Sequence, residues 1–542
     1  MASTIVIDPI TRIEGHLKVE ADVDGGVIVE ARSTGTLFRG LELILRGRDP
    51  RDAPRITQRI CGVCPTAHAT ASSFALDEAF GIADAIPPNG RVIRNLIFGC
   101  NFLQSHILHF YHLAALDYVD VTAAAEYTGS DPDLQSARRF LARGEAGPFV
   151  PRYEGDYRLP KALSEAATGH YVLALDMRRK AHELLAVFGG KMPHNVGIVP
   201  GGVTQRPEVD TITQFLWRLN EIRGFIDSVY LPDVLAIAEH YKDYATIGGG
   251  CRRYLDYGGF PQASGRRFEA GVVDADLSVH DLDSTRISES VRHAWYEAGV
   301  DPLPPSRGET RPQPGREGGY SWIKAPRYDG KVFEGGPLAR VLLAYLRGDG
   351  VVTPLVDDAL SALGAGPEAL HSVLGRHLAR AIEAKAVADA MADWVLELVP
   401  GDPVYVPYDL PSDGEGAGLV AAPRGALGHW VRLEEGRIAH YQCVVPTTWN
   451  ASPKDERDQP GPMEQALLGT TVRDPDNPFE VVRVVRSFDP CPRAPCTFRP
   501  CSAGRRECDD RGARSRESAD ERRWCRRTCG AGALAWNAPP RG

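Results

Sequence analysis

The 542 residues carry 62 Lys and Arg against 71 Asp and Glu, a formal net charge of −9 that excludes nucleic acid as a main partner, because phosphate binding asks for a basic surface. Apolar residues at 43% and charged residues at 25% are ordinary for a soluble globular protein, and the chain is long enough to bury a large core. No hydrophobic run reaches the roughly 18 residues of a membrane span.

Residues 4 to 32 alternate apolar and polar, with Val23-Asp24-Gly25-Gly26-Val27 as a hairpin turn, so a small antiparallel sheet is predicted at the start, carrying Arg12 to His16. From Leu96 to Tyr118 the apolar residues fall at helical spacing, with His106, His109 and His112 read as core or surface histidines and Asp117 closing the helix. Further helical patterns run through Leu163 to Phe188, Thr213 to Tyr244 and Pro337 to Leu346. The clearest spans Val373 to Leu398, where Leu374, Leu378, Ile382, Met391 and Val395 belong to an apolar stripe that reads as core. Between them Asp301 to Gly319, rich in Pro and Gly, reads as a surface loop and not a domain boundary. The fold class predicted is α+β, mainly α: a central helical bundle with small antiparallel sheets.

Two domains are expected, a catalytic one over 1–491 and an aberrant tail over 492–542. Beyond Pro492 arginine is abundant, lysine, isoleucine and valine are absent, and Leu534 is the only leucine, so the segment cannot bury enough apolar surface to fold alone.

The chemistry sits in Arg59-Ile60-Cys61-Gly62-Val63-Cys64-Pro65-Thr66-Ala67-His68, two thiols three apart with an imidazole four beyond the second. Alone it fits half of a structural zinc site or a redox dithiol. Cys491, in Arg486-Ser487-Phe488-Asp489-Pro490-Cys491, adds a thiolate from the far end of the chain. Such a sulfur-rich set suits nickel, copper(I) or iron better than magnesium or calcium. Of the 11 cysteines only Cys61, Cys64, Cys100, Cys251 and Cys443 precede Cys491, too few for a disulfide framework, and Cys100 and Cys251 read as inert buried residues.

Seven motifs in one order then resemble the large, catalytic subunit of nickel-iron hydrogenases of the uptake, membrane-coupled type: R-I-E-G-H at Arg12 to His16, F-R-G-x-E at Phe38 to Glu42, R-I-C-G-V-C-x-x-x-H, P-H-N-V-x-x-x-P-G-G at Pro193 to Gly202, A-P-R-G at Ala422 to Gly425, V-P-T-T-W-N at Val445 to Asn450, and D-P-C ending at Cys491. The resemblance implies heterolytic oxidation of dihydrogen at nickel held by four Cys thiolates, two of them bridging to an iron with carbon monoxide and cyanide ligands. It makes Cys61 and Cys491 terminal nickel ligands, Cys64 a bridge, Glu14 the proton carrier, and Arg424 the cation over the open metal position, with Pro423 and Asp489 beside it in the same motifs. Asp117 is implied to pair with that arginine, Thr447 to bond a cyanide, and His68 to donate to a bridging sulfur. Glu42 is implied to hold a structural magnesium with a backbone carbonyl near Cys443 and a C-terminal His.

With no spare cysteine set for an iron-sulfur cluster, an iron-sulfur small subunit is required, and Pro193 to Gly202 is the candidate interface. Maturation proteins, a C-terminal endopeptidase and a membrane cytochrome b reached through the small subunit are the other implied partners. Met1-Ala2-Ser3-Thr4 opens without the basic segment and cleavage site of a signal peptide, so synthesis in the cytoplasm and attachment at the periplasmic face through the small subunit are expected. The alternatives are a hydrogen sensor, a catalytically dead homologue, or a relative of the quinone-side subunit of respiratory complex I, which lacks these thiols.

The family ends with C-x-x-C-x-x-H or C-x-x-C-x-x-R, whereas here Cys491 is followed by Pro492-Arg493-Ala494-Pro495-Cys496, sulfur at the wrong spacing. Written with suitable codons, Pro492 to Thr497 in another frame encodes Ala-Cys-Ala-Val-His. Restoring one nucleotide after the Cys491 codon therefore recovers the family's ending, and a frameshift is expected there.

Overall fold

The computed structural model describes residues 3–144, 149–297, 299 and 301–491. Strands β1 (Ser3–Ile7), β2 (Leu17–Asp24) and β3 (Val27–Gly35) form an antiparallel sheet in that order. Gly25 and Gly26, with φ of 58° and 82°, make the tight β2–β3 turn where a side chain would be strained. Leu17, Val19, Ala21 and Val23 point inward along β2, as the alternation predicts. The Arg12–His16 motif lies in the connection between β1 and β2, not on a strand, and Arg12 itself takes a positive φ of 56°.

The bundle is built from the helices Pro88–Ile107, Lys161–Gly189, Val209–Phe225 and Val373–Leu396, which pack on one another around a common apolar core. The first of these continues through Leu108–Ala114 with π-helical hydrogen bonding and ends in a short turn at Asp117, so the long helix expected from Leu96 changes pitch near the histidines. The Thr213 to Tyr244 pattern is likewise divided, a π-helical segment at Ile226–Tyr230 separating two α-helices. The Pro337–Leu346 helix stands as expected, and the Asp301 to Gly319 stretch has no helix or regular strand among its described residues.

A second three-stranded sheet, β4 (Gly414–Ala422), β5 (Gly425–Glu434) and β6 (Arg437–Val444), lies flat on the helix Pro65–Ala79. Alternate residues Gly414, Gly416 and Gly418 meet that helix at its small residues: a Cβ on Gly418 would stand 1.8 Å from the Ala71 carbonyl oxygen, and one on Gly416 2.1 Å from that of Ala75. This bare contact brings the β4–β5 turn, with Arg424, beside the start of the helix, with Cys64.

Candidate metal centre

Cys61 follows a short turn at Gln58–Ile60, and Cys64 stands at the N-cap of the Pro65–Ala79 helix, whose first position is a proline with no N–H to satisfy. The Cys61 Sγ accepts the backbone N–H groups of Val63 at 3.3 Å and Cys64 at 3.1 Å, so the C-x-x-C loop folds back on its own sulfur. Cys491 arrives from the buried helix Phe479–Ser487. Its N–H donates to Thr447 Oγ1 at 2.8 Å, and its Sγ lies 3.3 Å from that of Cys61. The three sulfurs are buried and lie within 4.8 Å of one another, the only group of three or more such ligands gathered among the described residues.

Burial opposes ionisation of Cys61, yet hydrogen bonds from Cys491 and Cys64 and the nearby Arg424 bring its thiol well below the ordinary range. Cys491, donating to Cys61 and Cys64 and buried with them, is pushed well above it. A soft cation would displace thiol protons from such a set, which fits the nickel the motifs call for.

A cavity of about 20 Å³ opens beside the sulfurs, walled by Cys64, Cys491, His68, Arg424, Pro446 and Thr447. Burial disfavours the Arg424 charge, but Asp489 and the three cysteines hold its pKa well above the ordinary value. Arg424 Nη2 lies 3.1 Å from Asp489 Oδ1, and Asp489 takes a positive φ of 52° to reach it. The pair is misaligned for hydrogen bonding, so Arg424 Nε and Nη2 and both Asp489 oxygens are buried without a hydrogen-bond partner in the protein. Orphaned donors facing a small cavity fit a polar ligand seated there.

Asp117 does not join Arg424. Arg12 and Arg486 each reach its Oδ1 at 2.5 Å, and Arg486 also donates to the Thr11 carbonyl at 3.0 Å, tying the Arg12–His16 segment to the helix that leads to Cys491. Burial alone would raise the Asp117 pKa, but Arg486 and Arg12 bring it below the usual range. Glu14 is half-buried and stands within electrostatic reach of Arg178, which donates to Gln104 Oε1 at 3.4 Å, and Gln104 in turn donates to the Val63 carbonyl at 2.6 Å. The Pro423 carbonyl accepts from Arg340, whose guanidinium is locked between Asp256 and Glu383.

His68 Nδ1 faces not sulfur but a second imidazole, lying 3.1 Å from His429 Nε2. Burial brings the His68 pKa down to about 4, so the ring is neutral. Glu42 is buried, accepting the Cys443 N–H at 2.9 Å and the Thr310 hydroxyl, with Glu289, Lys324 and Gln442 nearby. A buried carboxylate beside a carbonyl-rich strand end fits a hard cation such as magnesium in its donor chemistry. Cys496 and the 492–542 tail lie outside the described residues, and the expected His is missing from the sequence, where no histidine follows Cys491. Sequence reasoning missed His429, because β5 is buried on both faces and shows no alternation that would single out an inward histidine, and it missed Tyr441 on the neighbouring strand β6.

A buried, sulfur-only ligand set beside an arginine, on a helical scaffold with a small cavity next to it, defines a soft-metal redox protein. The model of the family described as nickel-dependent hydrogenase matches residues 39–496, and one described as HoxL-like matches 4–33. The periplasmic NiFeSe hydrogenase large subunit of Desulfomicrobium baculatum is 41% identical over 504 residues, covering 90% of this chain and 93% of that one. The uptake hydrogenase large subunit of Rhizobium leguminosarum bv. viciae is 37% identical over 90% of this chain and 94% of its own. The solved Ni-Fe-Se hydrogenase of D. vulgaris Hildenborough superposes with a TM-score of 0.82 at 41% identity, covering 91% of this chain and all of that one. The chain belongs to the nickel-dependent hydrogenase family, as the large subunit of a nickel-iron enzyme that oxidises dihydrogen in company with a small subunit. These comparisons favour that activity over the sensor and dead-homologue alternatives.

Proposed function

We propose that Cys61 and Cys491 are terminal nickel ligands and that Cys64 is shared with an iron carrying carbon monoxide and cyanide. The observation that carries this is the buried trio of sulfurs, gathered from positions up to 430 residues apart in sequence. When bound, the metal pair supplies a soft Lewis acid that polarises dihydrogen and takes up its two electrons, leaving two protons for the protein to remove.

Arg424 walls the cavity beside the sulfurs with Nε and Nη2 unpartnered in hydrogen bonds, and Asp489, 3.1 Å from Nη2, holds the guanidinium there by charge. Thr447 and the Pro423 segment line the pocket for the iron's diatomic ligands, with Thr447 also anchoring the Cys491 backbone. A Cys sulfur takes the first proton and Glu14 the next, a half-buried carboxylate being able to exchange with solvent. Asp117, clamped by two arginines, holds the Glu14-bearing segment against the Cys491 helix and so positions both. Glu42 and a backbone carbonyl near Cys443 would hold a structural magnesium, and His68 lines the sulfur side of the cavity.

Electrons leave to an iron-sulfur small subunit, with Pro193 to Gly202 as part of the contact; His194, Val196 and Val199 of this stretch remain at least partly exposed. Maturation proteins and an endopeptidase act before assembly, and the complex sits on the periplasmic face, coupled to a cytochrome b. The relatives named periplasmic and uptake hydrogenases support that location, and no described helix is long and apolar enough to cross a membrane. Co-expression of the frame with one nucleotide restored after the Cys491 codon, together with the small subunit, followed by nickel analysis and hydrogen-dependent dye reduction, tests the reading: a complex of that restored chain that retains no nickel refutes it.

A further inference from the structure

Gln104, on the Pro88–Ile107 helix, has no solvent exposure, and its carboxamide stands between the C-x-x-C loop and the Lys161–Gly189 helix. On one side, Arg178 Nε lies 3.4 Å and His182 Nε2 3.2 Å from its Oε1. On the other, its Nε2 lies 2.6 Å from the Val63 carbonyl oxygen and 3.3 Å from that of Asn101. Arg178 and His182 stand one turn apart on their helix, so both reach the same atom from one face.

Only one orientation of this amide satisfies its neighbours. A guanidinium only donates and a carbonyl only accepts, so the amide oxygen faces Arg178 and the NH2 group faces Val63. Burial and the Arg178 charge bring the His182 pKa to about 4, so its neutral ring carries its single hydrogen on Nε2. The peptide unit that Gln104 grips joins Val63 to Cys64. At the other edge of that same unit, the Cys64 N–H donates to the Cys61 Sγ at 3.1 Å. A peptide is planar, so a hold on its oxygen fixes the direction of its N–H. A bond accepted at the carbonyl also strengthens the bond donated at the N–H.

We infer that Gln104 is a positioning residue for the Cys61 sulfur, holding the Val63–Cys64 peptide so that its N–H stays aimed at Sγ. It touches neither the cavity nor a sulfur, and acts only through the peptide between. An N–H donated to a thiolate draws electron density from it and so favours the reduced, more negative state of a bound metal. The grip on the loop follows from the side chains and the peptide alone; its effect on nickel rests on the function proposed above.

Gln104→Met keeps the length and nearly the volume of the side chain and removes the donor, while the half-buried Arg178 and His182 can turn to water. In the metal-free full chain, hydrogen–deuterium exchange is read by mass spectrometry on the peptide spanning Cys61 to Cys64. It should quicken about 10-fold, the scale of one lost hydrogen bond, with the Val373–Leu396 helix unchanged. Gln104→Asn, whose amide is one methylene short of the loop, should quicken it likewise. In the complex of the restored frame with its small subunit, Gln104→Met should keep nickel, leave the KM for hydrogen unchanged and move the nickel midpoint potential to more negative values. Parental exchange in both variants overturns the grip on the loop. Faster exchange with an unmoved potential overturns the action on Cys61. A parent complex without nickel would count against the metal assignment, while the exchange measurement still decides the grip.

Discussion

Arg424 and Asp489 face one another at 3.1 Å, 2% exposed each, with their hydrogen-bonding edges out of line. An ion pair left misaligned in a dry interior gives up bond energy to keep donors free for something else, here the cavity beside the sulfurs. Arg424→Lys keeps the charge but loses the planar fork, and is expected to retain nickel while slowing hydrogen oxidation by about 100-fold, the usual cost of losing an aimed donor. Asp489→Asn leaves a buried cation uncompensated, which costs about 3 to 5 kcal/mol and should appear as a lowered melting temperature before any kinetic effect is measured. Dye-reduction rates near the parental value in Arg424→Lys would remove the guanidinium from the reaction.

Cys61→Ser and Cys64→Ser each replace a soft anionic ligand by a neutral hydroxyl, and nickel retention should be lost in both. The two differ in the metal-free protein. Cys61 accepts two backbone N–H groups, so its loss loosens the C-x-x-C loop, whereas Cys64→Ser leaves that loop closed. Elemental analysis showing one nickel per chain in either variant contradicts the ligand assignment.

The sulfur site was legible because its motifs are contiguous: Cys61, Cys64 and His68 share one decapeptide, and Asp489 and Cys491 another. The bundle was legible from apolar periodicity, most clearly in Val373–Leu396. What sequence did not show is who pairs with whom across long separations. Asp117 carries no local mark that chooses Arg12 and Arg486 over Arg424, and only the packing of the helix ends and of the Arg12 segment decides. The alternate glycines at 414, 416 and 418 carry no apolar signal in sequence, yet they are the bare face on which a helix lies. Changes of helical pitch at Leu108 and Ile226 are equally silent, because an extra residue per turn keeps the same apolar composition.

Glu14→Gln preserves shape but cannot titrate, so it is expected to keep nickel and fold while stopping proton exit. Hydrogen–deuterium exchange and dye reduction should both fall by at least about 100-fold, the range that loss of a proton-transfer group covers. Parental rates in both assays would assign the relay to another residue.

Glu383 tests the scaffold behind Pro423. Burial raises its pKa, but the Arg340 guanidinium and the His106 ring more than offset this and bring it from 4.5 to about 2. A depressed carboxylate stabilises the fold above its unfolded pKa and loses that contribution as pH falls through the folded value. The shift corresponds to about 3 kcal/mol at neutral pH. Glu383→Gln should therefore lower the unfolding midpoint at pH 7, with the gap to the parent narrowing below pH 4.5 and closing near 2. A gap independent of pH would mean that the loss is steric and not electrostatic.

The last prediction concerns the reading frame. In the sequence as it stands, Cys491 is followed by Pro492 to Cys496, so a second bridging sulfur falls out of the C-x-x-C register and the terminal His that would help hold magnesium is missing. A bimetallic core needs both bridges to close, because a single shared thiolate leaves the iron with one protein sulfur, and an iron so held is readily lost. The family match ends at residue 496, and the solved D. vulgaris chain is covered in full by 91% of this one, so the remainder has no counterpart there. This frame and one with a single nucleotide restored after the Cys491 codon should be expressed with the same small subunit and maturation proteins. The restored frame should carry nickel and iron and oxidise hydrogen, and the present frame should do neither. Equal metal content and equal rates in the two would show that Cys496 can complete the site and that the frameshift account is wrong.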